Sequence, residues 1–205
     1  MGFYANKIFP WVLDASEPEE MAELRRILLQ DIKGKILEIG IGTGVNLVHY
    51  PENVKSLTAV EPSAAMQPRA KQRAEACGRT VDWHQGYGER LPFEENCFDA
   101  VVTADVLCTV NDVDAVLGEA YRVLRPGGRL YFLEHGLARE EKIRDWQTRL
   151  NGLSKVVACG CELTREIEKH IRNSKFTVNE LEYVPKFSGM NAVYTHIRGF
   201  ATKPG

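Results

Sequence analysis

Residues 35–44 decide the fold, and they read Lys-Ile-Leu-Glu-Ile-Gly-Ile-Gly-Thr-Gly. The apolar run predicts a short buried strand, and the three glycines at alternate positions predict a tight turn. A helix is expected to begin near residue 44 or 45, so that its first N–H groups face a polar or anionic ligand. The dinucleotide fingerprint is Gly-x-Gly-x-x-Gly, whereas this pattern is Glu-x-Gly-x-Gly-x-Gly. The spacing therefore argues against a nicotinamide nucleotide.

A second acid follows the next apolar stretch of the chain. Residues 56–60 predict a buried strand that ends at Glu61 and Pro62. Glu61 lies about 20 residues beyond the glycine loop, and an acid at that distance can accept two hydrogen bonds from a ribose diol. Glu38 places a further carboxylate beside the loop. The pattern thus places one acid before the glycine loop and a second acid at the end of the next strand.

Glu38-x-Gly40-x-Gly42-x-Gly44 resembles motif I of the class I S-adenosylmethionine-dependent methyltransferases. The resemblance implies that the glycine loop passes under the methionine part of the cofactor. It also implies that Glu38 reaches the cofactor ammonium, directly or through water, and that Glu61 binds the ribose. The fold it implies is an α/β, Rossmann-like three-layer sandwich, with a seven-stranded, mostly parallel sheet and a C-terminal antiparallel pair.

The same resemblance supplies further candidates for cofactor contacts. Residues 86–93 are similar to the family segment Gly-Asp-Ala-Glu-x-Leu-Pro-Phe, but Tyr87 replaces the aspartate that contacts the adenine. Met66 matches a position that packs on adenosine, with ordinary helix packing as the alternative, and Glu89 has a solvated loop as its alternative. Tyr4 is a candidate to reach the cofactor carboxylate. The full cofactor-binding prediction is Tyr4, Glu38, Gly40, Gly42, Gly44, Glu61, Pro62, Met66, Gly88, Glu89 and Thr103.

Strand and helix patterns alternate along the rest of the chain. Residues 1–33 are expected to form an N-terminal helical segment over the active site, and residues 34–205 the methyltransferase domain. Ser63 is expected to cap a helix, and the Pro-Gly-Gly of residues 126–128 to separate a helix from the next strand. The remaining predicted helices cover residues 21–29, 112–124, 138–157 and a segment ending at 173; the strands cover residues 81–85, 97–103, 129–133, 176–183 and 193–202.

The acceptor is expected where the parallel strands end, because ligands of open α/β sheets sit beyond the carboxyl ends of the strands. Thr103, Asp105 and Cys108 leave the fourth strand at that edge. Asp105 and His135 are the candidate catalytic residues, and Asp105 has simple positioning of the acceptor as its alternative. His196 is a weaker candidate base, since it is expected to pack in an edge strand.

The Cys-x-Cys pair at residues 159–161 offers two sulfur ligands, which are too few for a structural zinc site. His170 is the only other obvious donor nearby in the sequence. No metal is therefore expected, and Cys161 is expected to pack at a helix start or to line the acceptor pocket.

Several strings are similar to the methyltransferase-like-seven group, which contains alkyl thiol S-methyltransferases. They are residues 38–46, Tyr50-Pro51, 106–110, Glu134-His135, 160–166 and 196–201. The resemblance implies methyl transfer to a small-molecule thiol. Methylation of carbon, nitrogen or oxygen on a quinone, an amine lipid or another small metabolite is the alternative. An oxidoreductase with a Rossmann sheet and a non-catalytic cofactor-binding regulator remain as readings from other classes.

Composition limits the kinds of partner and the compartment that are expected for this chain. The net charge of −2 offers no overall basic field for nucleic acid. There is no run of about 18 apolar residues, so no transmembrane segment is expected, although members of the resembled group usually begin with a hydrophobic anchor. The five scattered cysteines favour the reducing cytoplasm over a disulfide framework. A monomer or homodimer of one domain is expected.

Overall fold

The computed structural model describes residues 4, 8–11, 18–184 and 193–205. Within them, seven strands form one sheet: β1 (Gly34–Ile39), β2 (Val54–Val60), β3 (Val81–His84), β4 (Phe98–Ala104), β5 (Leu124–Gly136), β6 (Thr177–Tyr183) and β7 (Thr195–Thr202). Their spatial order is β3-β2-β1-β4-β5-β7-β6. The first five strands are parallel, and β7 is antiparallel to both of its neighbours. The predicted seven-stranded sheet is confirmed.

Helices cover both faces of the sheet. They are α1 (Glu19–Leu29), α2 (Gln67–Ala76), α3 (Val113–Val123), α4 (Glu141–Val157) and α5 (Ile167–Asn173), with a 3-10 helix at Val45–Val48. Neighbouring residues of a strand point to opposite faces, so Ile36 joins the apolar core under α1 while Leu37 joins the core under α3. This explains why the central strands read as continuous apolar runs.

The register brings the ends of three strands to one edge. Ile39 of β1 pairs with Val60 of β2 on one side and with Thr103 of β4 on the other. The glycine loop, Glu61 and Asp105 therefore leave the sheet next to one another, as the sequence predicts.

One predicted helix start, at residue 44 or 45, is correct in position, and one, at Ser63, was wrong. The segment after the glycine loop is a single 3-10 turn, which follows Gly44 in the left-handed conformation at φ 81°. Ser63 does not cap a helix, because residues 64–66 form a turn and the helix begins at Gln67, with Met66 at the N-cap position. The Ser63 N–H donates to the Glu61 carboxylate over 2.8 Å. The proline in the first turn of α2 suits this later start, since proline has no N–H to satisfy there.

Two predictions about strands were also wrong. The Pro-Gly-Gly segment lies inside β5 instead of before it, because Gly127 and Lys203 are tied by a backbone hydrogen bond of 2.9 Å. β7 is an interior strand between β5 and β6, and His196, which was expected at an edge, is 7% exposed. Sequence order alone does not reveal that the last strand inserts between two earlier ones.

Candidate active site

The glycine loop is packed closely against the turn that follows β4. Gly40 has φ 68°, and a Cβ on it would lie 2.5 Å from a methyl group of Val106. Its N–H donates to the Val60 carbonyl over 2.7 Å. Only glycine fits here, both because of the left-handed backbone and because of the neighbouring side chain.

Gly42 stands at the open side of the same loop. Its φ is 56°, and no protein atom lies within 4 Å of the position that a Cβ would take. Its N–H donates to Oε2 of Glu61 over 2.9 Å. The loop therefore exposes backbone to a space that a ligand can fill, with a carboxylate beside it.

Glu38 is buried under the loop and is 2% exposed. The Asn46 side-chain amide donates to its Oε1 over 2.7 Å, and the Tyr50 hydroxyl donates to its Oε2 over 2.9 Å. Burial raises the pKa of Glu38 to about 7, although both hydrogen bonds oppose the rise. The carboxyl is thus poised to ionise when a cation arrives.

Glu61 lies at the end of β2 with its carboxylate turned back over the loop. It accepts the N–H of Gly42 at one oxygen and the N–H of Ser63 at the other. Burial raises its pKa, and these two N–H donors oppose the rise. A carboxylate has about four lone-pair sites, so two remain for a diol.

A chain of polar contacts leads from Glu38 to the other side of the site. Arg25 of α1 donates to Asn46, which holds Glu38, over 3.1 Å, and to Asp105 over 2.9 Å. Nε2 of His196 lies 3.3 Å from the second oxygen of Asp105. One helix before the first strand is thereby connected to the loop acid, to β4 and to β7.

Asp105 sits at the turn after β4 in the left-handed conformation, with φ 58°. Burial alone would raise the pKa of Asp105. The hydrogen bond and charge of His196, with the charges of Arg25 and His135, hold it well below the usual range. Asp105 is therefore an ionised group at the predicted acceptor position, and such strained residues are frequent at functional sites.

Glu134 accepts hydrogen bonds from the backbone of the same turn. Its side chain is fully buried, and its Oε2 accepts the N–H groups of Val106 and Leu107, each over 3.0 Å. Burial, with the charge of Asp105, raises the pKa of Glu134 to about 8. The carboxyl is therefore mostly protonated at neutral pH, and it serves to fix the turn.

His135, Cys108 and Cys161 meet beyond this turn. Nε2 of His135 lies 3.1 Å from Sγ of Cys161. A hydrogen bond from Cys108, together with His135, lowers the pKa of the Cys161 thiol, whereas the pKa of Cys108 is raised by the same contact and by burial. The His135 ring also packs edge-on against Tyr194 and His196. Cys108 and Cys161, which are far apart in sequence, thus lie together beside His135, the predicted base.

The other predicted site residues have defined places in the described part of the chain. The Tyr4 hydroxyl donates to the carbonyl of Val157 over 2.8 Å. Glu89 accepts the N–H of Asn111 over 2.9 Å. Pro62 accepts a bond from Gln85, Met66 is 6% exposed, Thr103 is fully buried, and a Cβ on Gly88 would lie 2.7 Å from Ile39. The contacts of Tyr4 and Glu89 are with the protein itself.

Sequence reasoning missed three residues that hold the site together. Arg25, Asn46 and Tyr50 supply most of the side-chain hydrogen bonds around Glu38 and Asp105. Asn46 and Tyr50 lie inside strings that resemble a known group, and a buried acid needs donors, so they could have been proposed as its partners. Arg25 sits in an amphipathic helix where nothing in the sequence separates it from Arg26.

Comparison with known proteins agrees with this geometry. Residues 37–132 match the methyltransferase domain family. The chain is 33% identical to the thiol S-methyltransferase TMT1B of Rattus norvegicus, over 95% of this chain and 86% of the relative. The chain belongs to the thiol S-methyltransferase family. The predicted membership of the class I methyltransferases is thus confirmed.

Two further similarities bear on fold and acceptor. A geranyl diphosphate C-methyltransferase of Streptomyces coelicolor, solved with S-adenosyl-L-homocysteine, has a TM-score of 0.69 at 14% identity. The match covers 90% of the present chain and 77% of the Streptomyces chain. A ubiquinone/menaquinone C-methyltransferase of Desulfotalea psychrophila is 37% identical, over 49% of this chain and 41% of its own length. The first likeness concerns the fold alone. The second covers only half of this chain.

None of the helices in the described residues has both the length and the apolar character needed to cross a membrane.

Proposed function

We propose that this member of the family transfers the methyl group of S-adenosylmethionine to the sulfur of a small-molecule thiol. The observation that carries the proposal is the presence of two buried carboxylates at the glycine loop: Glu61, which accepts the N–H of the open Gly42, and Glu38, which Asn46 and Tyr50 hold. A nucleoside joined to an amino acid needs one acid for its diol and one for its ammonium. Family membership over most of the chain supports the same reaction.

The residues around the loop fit such a cofactor. Glu61 keeps two acceptor sites free for the ribose hydroxyls, and no protein atom lies within 4 Å of the position that a Cβ on Gly42 would take. Glu38 offers a carboxyl whose pKa is about 7, so that a nearby ammonium favours its ionised form. When bound, the cofactor supplies an activated methyl group on a positively charged sulfur.

Not every predicted contact receives the same support. Gly40 and Gly44 shape the loop, and Met66, Pro62, Gly88 and Thr103 lie around the strand ends. Tyr4 donates a hydrogen bond to the Val157 carbonyl, and Glu89 accepts one from the Asn111 N–H. We propose that they contact the cofactor only if these bonds are exchanged on binding.

The acceptor is proposed to bind beside Asp105 and His135. A thiol reacts as its thiolate, so the site must remove a proton and hold the acceptor in line with the methyl group. Such alignment contributes roughly 7–11 kcal/mol to lowering a barrier. Asp105 is ionised and fixed by Arg25 and His196, which suits it to positioning. His135 lies beside Cys161 at the same edge.

The N-terminal helix takes part in this proposal. The segment predicted to lie over the active site includes α1, which is proposed to do so, whereas its residues 1–3, 5–7 and 12–17 lie outside the described part of the chain. The support is Arg25, which is 6% exposed and reaches both Asn46 and Asp105 from α1. A segment with this contact would help to exclude water from the reacting groups.

Methylation of carbon, nitrogen or oxygen is not favoured. The quinone C-methyltransferase similarity covers 49% of this chain, whereas the thiol S-methyltransferase similarity covers 95% of it. Turnover by the purified chain of a matched panel of alkyl thiols, amines and phenols tests the proposal. Methylated thiol is the expected product; a panel in which only an amine or a phenol is methylated would overturn it.

We also propose that the chain works in a reducing compartment such as the cytoplasm. All five cysteines are free thiols, and Cys108 and Cys161 lie together in the buried site without being joined. Thiol counting on the chain isolated from cells under acid quench tests this: five reduced cysteines are expected.

A further inference from the structure

Among the residues that the structure describes, one group of three side chains has the composition of a metal site. Sγ of Cys108, Nε2 of His135 and Sγ of Cys161 all lie within 4.8 Å of one another. Their residues are 1%, 4% and 5% exposed. They come from the turn after β4, from the end of β5 and from the segment between α4 and α5, so only the fold brings them together.

The atoms match the preference of zinc more than that of any hard cation. Thiolate and imidazole are the ligands that Zn²⁺ takes, with Zn–S near about 2.3 Å and Zn–N near about 2.0–2.1 Å. These bond lengths put neighbouring ligand atoms roughly 3.5 Å apart in a tetrahedron. The observed Sγ to Nε2 distance of 3.1 Å, and the limit of 4.8 Å for the set, need only small shifts to meet this.

The number of ligands is also informative. Structural zinc sites are closed by four protein ligands, whereas catalytic sites have three and keep the fourth position for water or substrate. Two sulfurs and one nitrogen form a three-ligand set of the catalytic kind. Cys159, the other half of the Cys-x-Cys pair, is exposed and is not part of the group.

The position of the group relates it to the proposed reaction. Cys108 belongs to the turn from Asp105 to Cys108, which also contacts the glycine loop. In that turn Val106 packs against Gly40, and the Cys108 thiol donates to the Asp105 carbonyl over 3.5 Å. The three side chains therefore lie at the same edge of the sheet as the loop proposed for the cofactor.

We propose that Cys108, His135 and Cys161 bind one zinc ion whose open position receives the acceptor thiol. This inference rests on the proposed function and specifies how its acceptor is activated. The thiol would lose its proton to water on binding the metal. Its sulfur then forms the new bond to the methyl carbon as the bond from that carbon to the sulfonium sulfur breaks, which yields a thioether and neutral S-adenosylhomocysteine. His135 acts here as a ligand, not as a base.

Cobalt substitution tests the site without relying on turnover. The full chain, reduced and freed of metal, is titrated with Co²⁺ and the absorbance is recorded, because thiolate-to-cobalt charge transfer reports sulfur ligands and intense visible bands report a tetrahedral site. One equivalent of Co²⁺ is expected to produce both, and added Zn²⁺ to displace it. Addition of an alkyl thiol is expected to shift the visible bands.

Matched variants locate the ligands. Cys108→Ser, His135→Asn and Cys161→Ser are each expected to weaken Zn²⁺ binding by about 100-fold or more, since even outer partners of a metal ligand are worth about 10–100-fold. Cys159→Ser and Cys97→Ser are the controls, and they are expected to bind as the parent does. Circular dichroism of each variant establishes that it is folded. Equal weakening in Cys159→Ser would overturn the assignment.

Two other results would also overturn the metal site. The first is no thiolate charge-transfer band at any Co²⁺ concentration. The second is loss of two thiols with no bound metal, which would identify a Cys108–Cys161 disulfide. Calorimetry with S-adenosylhomocysteine and the thiol panel separates these failures from failure of the proposed function. If the metal-free chain binds S-adenosylhomocysteine and methylates thiols, the proposed function stands and only the proposed zinc site fails.

Discussion

The guanidinium of Arg25 donates a hydrogen bond to the carboxylate of Asp105 over 2.9 Å, although the two residues are 80 positions apart. The same guanidinium holds Asn46, the donor to Glu38. One cation on α1 therefore fixes both the acid under the glycine loop and the acid at the proposed acceptor position. The arrangement makes the N-terminal helix part of the site's electrostatics.

Arg25→Met is expected to lower the free energy of unfolding by about 2–3 kcal/mol, because it leaves the partly buried carboxylate of Asp105 without its guanidinium partner. Urea denaturation measures the loss. Arg26→Met is the matched control: the neighbouring arginine pairs with Glu23 on the surface, and its removal is expected to leave stability within experimental error of the parent.

The double variant Arg25→Met/Asp105→Asn extends this test. Asparagine tolerates the left-handed backbone at position 105, so the change removes charge without adding strain. The double variant is expected to be more stable than the sum of the two single losses implies. Strict additivity would show that the ion pair contributes no coupling.

Affinity for S-adenosylmethionine is expected to rise with pH through about 7. The carboxyl of Glu38 has a pKa of about 7 in the unliganded chain, and only its ionised form attracts the ammonium of the cofactor. Between about pH 6 and about pH 8 the ionised fraction rises roughly tenfold, and the affinity should follow. Calorimetric titrations across this range measure it. Glu38→Gln should bind weakly and without this pH dependence.

The same group predicts the direction of a stability change. Its pKa is raised on folding from 4.5 to about 7, so folded chains hold the proton more tightly than unfolded ones. The stability that this contributes is present below the unfolded value and is lost as pH rises through about 7. Glu38→Gln should flatten this part of the stability profile; an unchanged profile would contradict the assignment to Glu38.

Gly42→Ala is expected to weaken cofactor binding more than it weakens the fold. A Cβ there would meet no protein atom within 4 Å, but it would enter the space proposed for the cofactor. The fold should lose about 1 kcal/mol from the left-handed backbone alone. Gly78→Ala is a close control, because Gly78 has φ 66° and equally open surroundings away from the loop.

Comparing the alanine variants of Gly42 and Gly78 separates the loss of stability from the loss of cofactor binding. Thermal or urea denaturation should show similar losses for the alanine variants of Gly42 and Gly78, while calorimetry should show weak cofactor binding in the first alone. Parent-like affinity in Gly42→Ala would place the cofactor elsewhere.

Glu134→Ala is expected to destabilise the chain by about 2–4 kcal/mol, because two buried N–H groups of the turn lose their acceptor. Glu134→Gln keeps an acceptor oxygen and matches the protonated carboxyl, whose pKa is about 8. It should cost less than about 1 kcal/mol near neutral pH. Equal losses in the two variants, measured in urea, would show that the acceptor oxygen is unimportant.

The fold was predictable because its determinants are local. The apolar run of β1 specifies a strand, the glycine loop specifies a turn at its end, and the acid after β2 marks the end of the second strand. The parallel register then brings Glu61 and Asp105 to the same edge, which is a property of any such sheet. Resemblance to known methyltransferases supplied the C-terminal antiparallel pair.

The details that failed depend on contacts between distant segments. Ser63 is not the cap of α2, because a turn follows it and the helix begins only at Gln67. The grouping of Cys108 with His135 and Cys161 depends on three separate connections, whereas the sequence offered only Cys159 and His170 as neighbouring donors for Cys161. Arg25 is distinguished from Arg26 only by the face of α1 that packs on the sheet. These features depend on how distant segments pack against one another, so periodicity in the sequence cannot predict them.

The insertion of β7 between β5 and β6 has a consequence for biosynthesis. Strand β6 pairs with β7 alone, so it cannot join the sheet until residues 195–202 have left the ribosome. His196, which faces Asp105 and His135, arrives with that late strand. The nucleoside half of the pocket can thus assemble before residues 195–202 are synthesised, whereas the half proposed for the thiol is completed only with them, and products truncated before residue 195 should lack it.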